Sequence, residues 1–529
     1  MNSFMLPTLF NFLLSCLGAT HQSTTSPWLL PLLFSILFLF SFLPKFWLVP
    51  GGFAWRNHCQ TSPNLRGPMG WPLVGLLPQM GSLAHRKLAS IATSFGASAT
   101  RLMAFSLGAT RVIISSHPET AKEILTSPSF SDRPLKESAR LLMFERAIGF
   151  APSGNYWRHL RKVAATHMFS PRRVLGLEGL RQRLADEMVA RVGREMEERG
   201  VVELRGILQE GSLSNIMESV FGSALKERRR EELGAMVKEG YVIIVEFNWE
   251  DYFPEIRFMD FHGVKRRCHK LAARINEVVG EIIRERRREI GEMVMSGGGG
   301  GDFLSVLLSL SQEEQLSDSD MATVLWEMIF RGTDTVAILL EWIMARMVLH
   351  PDVQAKAQHE LDACVGSHRH VRDSDVPKLH YLQAIVKEVL RLHPPGPLLS
   401  WARLAIHDVH VDKVFIPAGT TALVNMWAIA HDPSIWKDPW AFRPERFIEE
   451  DVSVMGSDLR LAPFGSGRRV CPGRALGLAT VHLWLARLLH RYKWLPVQPV
   501  DLSECLRLSL EMKKPLACCA VFRQAVCNL

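Results

Sequence analysis

The chain has 529 residues, 47% of them hydrophobic and 22% charged, with a formal net charge of +8. Such a length buries a large core, and one large helical unit fits it as readily as three or four smaller domains. Nine scattered cysteines with no C-x-x-C pair, and no N-x-S/T acceptor, exclude a regular disulfide framework or zinc spacing and favour a reducing, cytosol-facing body. The basic runs Lys226–Arg230, Lys265–Lys270 and Arg284–Arg288 lack interleaved aromatics and accompany no nucleic-acid motif. They read first as solvated helix faces and second as a docking surface for an anionic partner; no nucleic-acid partner is expected.

Residues 1–50 are an apolar N-terminal region: Phe4–Leu17, then Trp28–Val49, interrupted by Pro31 and Pro44. The second run, about 22 residues over 28–49, is long enough to cross a bilayer. No Lys or Arg precedes it, whereas Lys45, Arg56 and Arg66 lie at its end and beyond, so the bulk of the chain is expected in the cytosol behind a single anchor. A cleaved signal peptide would want a charged n-region and a small-residue cleavage site, and neither is clear. Whether Phe4–Leu17 also enters the membrane stays open. Residues 51–75 contain Arg66-Gly-Pro-Met-Gly-Trp-Pro72, a stiff non-helical connector.

The body spans 76–529. Leu102–Leu107 and Arg111–Ser115 around Gly108 read as a hairpin. From Pro118 to about residue 390 helical patterning dominates. One helix carries Trp157 and Arg161, four apart and therefore on one face. Gly297–Gly301 is a flexible linker. Asp320–His350 is apolar on nearly all sides and is expected as one continuous buried helix of roughly 30 residues. Within it sits Arg331-Gly-Thr-Asp-Thr335, polar groups that burial disfavours unless they serve something. A threonine hydroxyl can bond a carbonyl one turn earlier and open the helix. Asp334 beside Thr335 is an acid–alcohol pair suited to moving protons.

Further on, Glu388 and Arg391 share a helix face, and Phe442-Arg-Pro-Glu-Arg-Phe447 offers Arg446 as a third member of a charged cluster. Pro397–Ser400, with Leu398 and Leu399, precedes Arg403. Short β-like pieces follow at Val409–Phe415 and Thr421–Asn425, and a helix near Val481–Tyr492. The most specific stretch is Phe464-Gly-Ser-Gly-Arg-Arg-Val-Cys-Pro-Gly473. A lone cysteine beside a proline and glycines suits a tight turn that raises one sulfur to a metal, with Arg469 as a fixed cation nearby. Together these residues describe a haem iron held by the Cys471 thiolate, with an arginine for a haem propionate.

This F-x-x-G-x-R-x-C-x-G loop resembles the haem-binding loop of cytochrome P450 monooxygenases. The Gly-x-Asp-Thr stretch, the E-x-x-R pair and the P-E-R-F element resemble that family's other motifs, in its order. Arg331 departs from the small residue usual at its place, and Val336 follows Thr335 where a hydroxyl is usual. The anchor and the Arg-Pro-Glu-Arg-Phe form resemble plant A-type microsomal members, and the Phe-Arg-Gly-Thr-Asp-Thr-Val variant resembles the organ-size and plastochron regulators (the KLUH/PLASTOCHRON type). The resemblance implies a mainly α fold with small β-sheets, a helix-rich haem-thiolate domain behind an N-terminal transmembrane helix. It implies haem b with Cys471 as axial ligand, and Trp157, Arg161, Arg403, Phe464, Arg469 and Gly473 around the cofactor. Asp334 and Thr335 would then handle protons, and Glu388, Arg391 and Arg446 would brace the core. Phe330, Arg331, Leu398 and Leu399 are expected at a substrate pocket, with the Arg331 guanidinium turned from the iron. No flavin or nicotinamide fingerprint is present. Electrons would therefore come from NADPH through a separate NADPH-cytochrome P450 reductase at the endoplasmic reticulum membrane, with O2 as co-substrate. The substrate would be a small lipophilic molecule, a fatty acid or a growth-signal precursor in organ growth. Two alternatives stay open at this point: a haem-thiolate isomerase or dehydratase of hydroperoxides, and a non-catalytic haem sensor.

Overall fold

The apolar runs on either side of Gly108 pair as an antiparallel hairpin, Met103–Leu107 with Thr110–Ser115, and Gly108 takes the positive φ that the turn needs. Thr421–Val424 adds to Thr110–Ser115 in parallel, and Arg403–Leu404 closes this four-stranded sheet. The sheet holds the connector at 66–72 in place. Arg66 bridges Met103, and a Cβ at Gly67 would stand 1.8 Å from the Ala104 carbonyl oxygen, so the chain leaves the N-terminal region flush against the sheet. Smaller sheets join Val202–Glu203, Tyr492–Pro496 and Ala517–Phe522, and pair Val409–Val411 with Val414–Ile416 and Glu504–Leu506 with Leu510–Met512.

The structure, a computed structural model, describes residue 35 and residues 49–523 except 59, 257, 294–300, 367, 400 and 401. The span expected over 28–49 (all but two of its residues), the Phe4–Leu17 segment and most of the glycine run lie outside the described residues. Among the described residues no helix is long and apolar enough to cross a membrane.

From Pro118 onward helices dominate. Those that build the site are α1 (Asn155–His167), α2 (Leu204–Phe221), α3 (Glu227–Val245), α4 (Val264–Met293), α5 (Asp318–Gly332), α6 (Asp334–Leu349), α7 (His380–Leu392) and α8 (Arg474–Arg491). Ser317 starts α5 by accepting from the Asp320 backbone N–H, and Pro351 opens the helix that follows α6.

The single helix expected over 320–350 is in fact two, and the break falls at Thr333. Gly332 weakens the ladder, and the Thr333 hydroxyl donates back to the Ile329 carbonyl at 2.7 Å. The break also lies where two cores meet. Met321–Phe330 packs in one hydrophobic cluster with α3 and α4, and Ala337–Val348 packs in another with α7 and α8. Apolar periodicity continues through both halves, which is why the pattern alone reads as one helix.

Candidate active site

The cysteine loop turns on two glycines in the left-handed region, Gly465 and Gly467. At Gly467 a Cβ would stand 2.2 Å from the Leu125 carbonyl oxygen, so no other residue fits there. The Cys471 backbone N–H donates to the Phe464 carbonyl at 3.0 Å and closes the loop. Gly473 has an ordinary negative φ. It serves by closeness, since a Cβ would meet the Phe169 ring at 3.3 Å. α8 starts at the next residue, and the N-terminal end of a helix favours an anion such as a thiolate nearby.

Cys471 and Phe464 face a cavity of about 300 Å³. Its walls bring together Arg161, Phe330, Arg331, Asp334, Thr335, Leu399, Arg403, Arg469 and Gly473, residues far apart in the sequence. Leu398 is not among them: it packs against the separate hydrophobic cluster that includes Leu88, Met103, Phe105 and Val112. Trp157, expected around the cofactor, is buried and does not line the cavity; its indole N–H donates to the Ile148 carbonyl at 3.0 Å. Its ring instead lies 4.3 Å from the Arg469 guanidinium.

The cavity is lined by five arginines, Arg133, Arg161, Arg331, Arg403 and Arg469, against two carboxyls, Glu327 and Asp334. Arg469 donates to the Ser131, Ile148 and Ala151 carbonyls, Arg403 to Ser466 O at 3.2 Å, and Arg161 to Val470 O at 2.9 Å. Burial pulls Arg403 down to about 9 and Arg469 down to about 10, and in Arg403 the neighbouring cations add to the effect. Burial likewise holds Arg133 far below its ordinary value, with Arg403, Arg331 and Arg469 contributing.

Across the cavity, Asp334 opens α6 and Thr335 follows it with its side chain open to the cavity. Burial raises the Asp334 carboxyl to about 6; Ser509 opposes the shift by hydrogen bonding, and Glu511 adds to it. The Arg331 guanidinium reaches back one turn to Glu327 at 3.2 Å while still lining the cavity. Asn215 of α2 also lines it, and its side-chain oxygen has no hydrogen-bond partner among the described residues.

Behind the cysteine loop, Arg391 donates twice to Glu388, at 2.8 and 2.9 Å, and Arg446 donates to the same carboxylate at 3.1 Å. All three are buried, and the arginines use their remaining N–H groups on the Ala430, Pro439 and Lys437 carbonyls. None of the three lines the cavity.

A family model for cytochrome P450 matches residues 65–519. The chain belongs to the cytochrome P450 family. It is similar to cytochrome P450 78A5 of Arabidopsis thaliana, 53% identical over 90% of this chain and 93% of that protein. Cytochrome P450 78A3 of Glycine max is 51% identical over 92% and 94%, and cytochrome P450 78A1 of Zea mays 49% over 90% and 90%. A zebra fish cytochrome P450 solved with progesterone matches with a TM-score of 0.69 and 23% identity, over 83% of this chain and 99% of that one, and shares the fold.

As a P450 monooxygenase of the 78A type, the protein uses a thiolate-ligated haem with O2 and NADPH-derived electrons. The residues present fit that cofactor. One cysteine sulfur faces the cavity, and the cavity has a surplus of cations that a dianion would balance. Several residues of this P450 cavity escape sequence reasoning: Arg133, Glu327, Gly149, Asn215 and Ser509. No motif marks them. Arg133 stands in the irregular stretch 131–136, and only the fold brings it to Arg403 and Arg469.

Proposed function

We propose that the protein is an endoplasmic-reticulum monooxygenase, held by a single N-terminal anchor over 28–49 behind a hinge at 51–75. In this reading it inserts one oxygen atom into a small lipophilic substrate, a fatty acid or growth-signal precursor, with electrons from NADPH-cytochrome P450 reductase. The observation that carries it is that Cys471, Asp334 and Thr335 open on one cavity whose other walls are largely apolar.

A haem held through the Cys471 thiolate would supply dioxygen activation. Arg161, Arg403 and Arg469, joined by Arg133, would hold the propionates, and the Trp157 ring against Arg469 fixes that guanidinium. Phe464 and Gly473 shape the sulfur's side of the cavity. Asp334, raised to about 6, can take a proton from solvent and pass it on near neutral pH. The Thr335 hydroxyl, open to the cavity, hands the proton onward. Phe330, Leu339, Leu399 and Leu476 exclude water and accept an apolar substrate. Arg331, held by Glu327, sets the polar edge of that pocket. Glu388, Arg391 and Arg446 brace the fold behind the loop. The basic helix face of α1 at Arg158 and Lys162 suits an acidic redox partner. The resemblance to plant organ-size regulators supports a role in organ growth.

The test is turnover of a fatty-acid panel by the full chain with NADPH-cytochrome P450 reductase. Oxygenated product that depends on NADPH and O2 supports the reading. Product from a hydroperoxide without NADPH would replace it with an isomerase.

A further inference from the structure

Asp334 and Thr335 stand immediately after the break in the central helix, so whatever holds the break also holds them. In a continuous helix the Phe330 carbonyl would pair with the Asp334 N–H. Here it accepts from the Tyr241 hydroxyl of α3 instead. Two features bring α3 that close. Gly240 leaves no side chain in the way, since a Cβ there would stand 2.6 Å from Phe330 Cε2, and the Tyr241 ring meets the Phe330 ring edge-on at 4.7 Å. Two neighbouring carbonyls also accept from hydroxyls. The Thr333 hydroxyl donates to Ile329 O, and the Ser212 hydroxyl of α2 donates to Thr333 O at 2.6 Å. Gly332 admits α2, for a Cβ there would stand 2.7 Å from Ile216 Cγ1. Burial and the nearby Asp334 carboxylate push the Tyr241 phenol well above its ordinary value, so it remains a donor at every working pH.

We propose that Tyr241 is a positioning residue for proton delivery: by occupying the Phe330 carbonyl it keeps the Asp334 N–H out of the helical ladder and so sets Asp334 and Thr335 against the cavity. The inference rests on the reading of Asp334 and Thr335 as the proton-handling pair. It ties that pair to α3, a helix with no residue in the cavity wall, through Phe330, which is part of that wall. A shift of α3 would therefore be felt at the acid–alcohol pair.

The experiment uses full-length holoenzyme with reductase and compares wild type, Tyr241→Phe, Thr335→Ala and the double variant. Tyr241→Phe keeps the ring and its packing, and retained haem content and thermal midpoint verify the fold. Peroxide released per NADPH is expected to rise on the order of tenfold in Tyr241→Phe, because a small misplacement of a proton donor weakens its action steeply. Adding Tyr241→Phe to Thr335→Ala is expected to bring little further rise, since both act on one relay. Hydrogen–deuterium exchange over residues 330–337 is expected to slow as the Asp334 N–H pairs with Phe330. Wild-type exchange and peroxide in Tyr241→Phe, or full additivity in the double variant, would overturn the proposal. Should Tyr241→Phe not accumulate folded, Gly240→Ala, which pushes α3 off Phe330, must reproduce the peroxide rise; wild-type coupling there counts against it. Unchanged coupling in Thr335→Ala removes the proton-handling reading itself, while the exchange data still decide whether Tyr241 holds the break.

Discussion

Glu327 and Arg331 are joined one turn apart on α5 at 3.2 Å, and the same carboxylate accepts the backbone N–H groups of Ile148 and Gly149 at 2.5 and 2.7 Å. The unusual arginine of the central helix is thus fastened to a loop almost 180 residues earlier in the chain. Gly149 is part of the arrangement, because a Cβ there would stand 1.9 Å from Arg331 Nη1 and 2.7 Å from Glu327 Oε1.

Glu327→Ala should therefore be more harmful than Arg331→Ala. Losing the carboxylate strands two buried backbone donors as well as the guanidinium, an effect of about 2–4 kcal/mol in thermal or denaturant unfolding. Arg331→Ala leaves Glu327 its two backbone partners, and the arginine side chain is 34% exposed, so the loss should stay near or below about 1 kcal/mol. Equal destabilisation by the two variants would contradict this order.

Gly149→Ala should displace Arg331 while leaving the cofactor's partners in place. The expected result is retained haem with altered regiochemistry on one fatty acid, in the same sense as Arg331→Ala. Product ratios identical to wild type in both variants would remove Arg331 from substrate positioning.

Asp334 makes a pH-dependent prediction. Its carboxyl ordinarily ionises near 3.8 and in the folded protein does so at about 6. Between those values the folded state binds the extra proton, so stability falls as pH rises through the window, and the penalty is complete above about 6. Asp334→Asn should raise the unfolding free energy at pH 7.5 by at most about 3 kcal/mol, read as a higher Tm, and leave both nearly unchanged at pH 4. The same variant should lose turnover by roughly 10²–10⁴ if the acid carries protons. A variant stabilised equally at both pH values would point to packing instead.

The arginine surplus predicts how the protein responds to losing its haem. Arg403 and Arg469, pulled down to about 9 and 10, are charged at neutral pH against the preference of their surroundings. Apoprotein should melt well below holoprotein, and iron-free protoporphyrin IX should recover much of the difference. Its dimethyl ester, which lacks the two negative charges, should recover clearly less. Equal rescue by both porphyrins would mean that shape matters and charge does not. With the lowered pKa values the penalty is present below about pH 9 and eases as pH rises beyond it.

Glu388 offers a separate check on the bracing cluster. Removing it leaves Arg391 and Arg446 buried without their shared carboxylate, for a loss of about 3–5 kcal/mol. Glu388→Ala should yield little folded, haem-loaded protein at 37 °C. Normal haem loading in that variant would assign the cluster a lesser part.

Much of this was legible in the chain because local chemistry leaves few choices. A cysteine among glycines and a proline describes one kind of loop, and Gly467 pressed against the Leu125 carbonyl shows why the spacing tolerates nothing larger. The hairpin around Gly108 and the helices from Pro118 follow from short-range patterning. The residues that escaped notice, Arg133, Gly149, Glu327 and Tyr241, act on partners far away in sequence, where spacing carries no signal.

The central helix draws the line most clearly. Its amino acids by themselves determined a buried, apolar helix with an acid and an alcohol in the middle, and the family to which that pattern belongs. Only the tertiary structure decided that the helix breaks at Thr333, because the hydroxyl that takes up the Phe330 carbonyl comes from another helix, Tyr241 of α3, with Ser212 of α2 donating to the Thr333 carbonyl beside it. A carbonyl released from its own helix must find another donor in a dry core, and which donor it finds depends on how the helices pack.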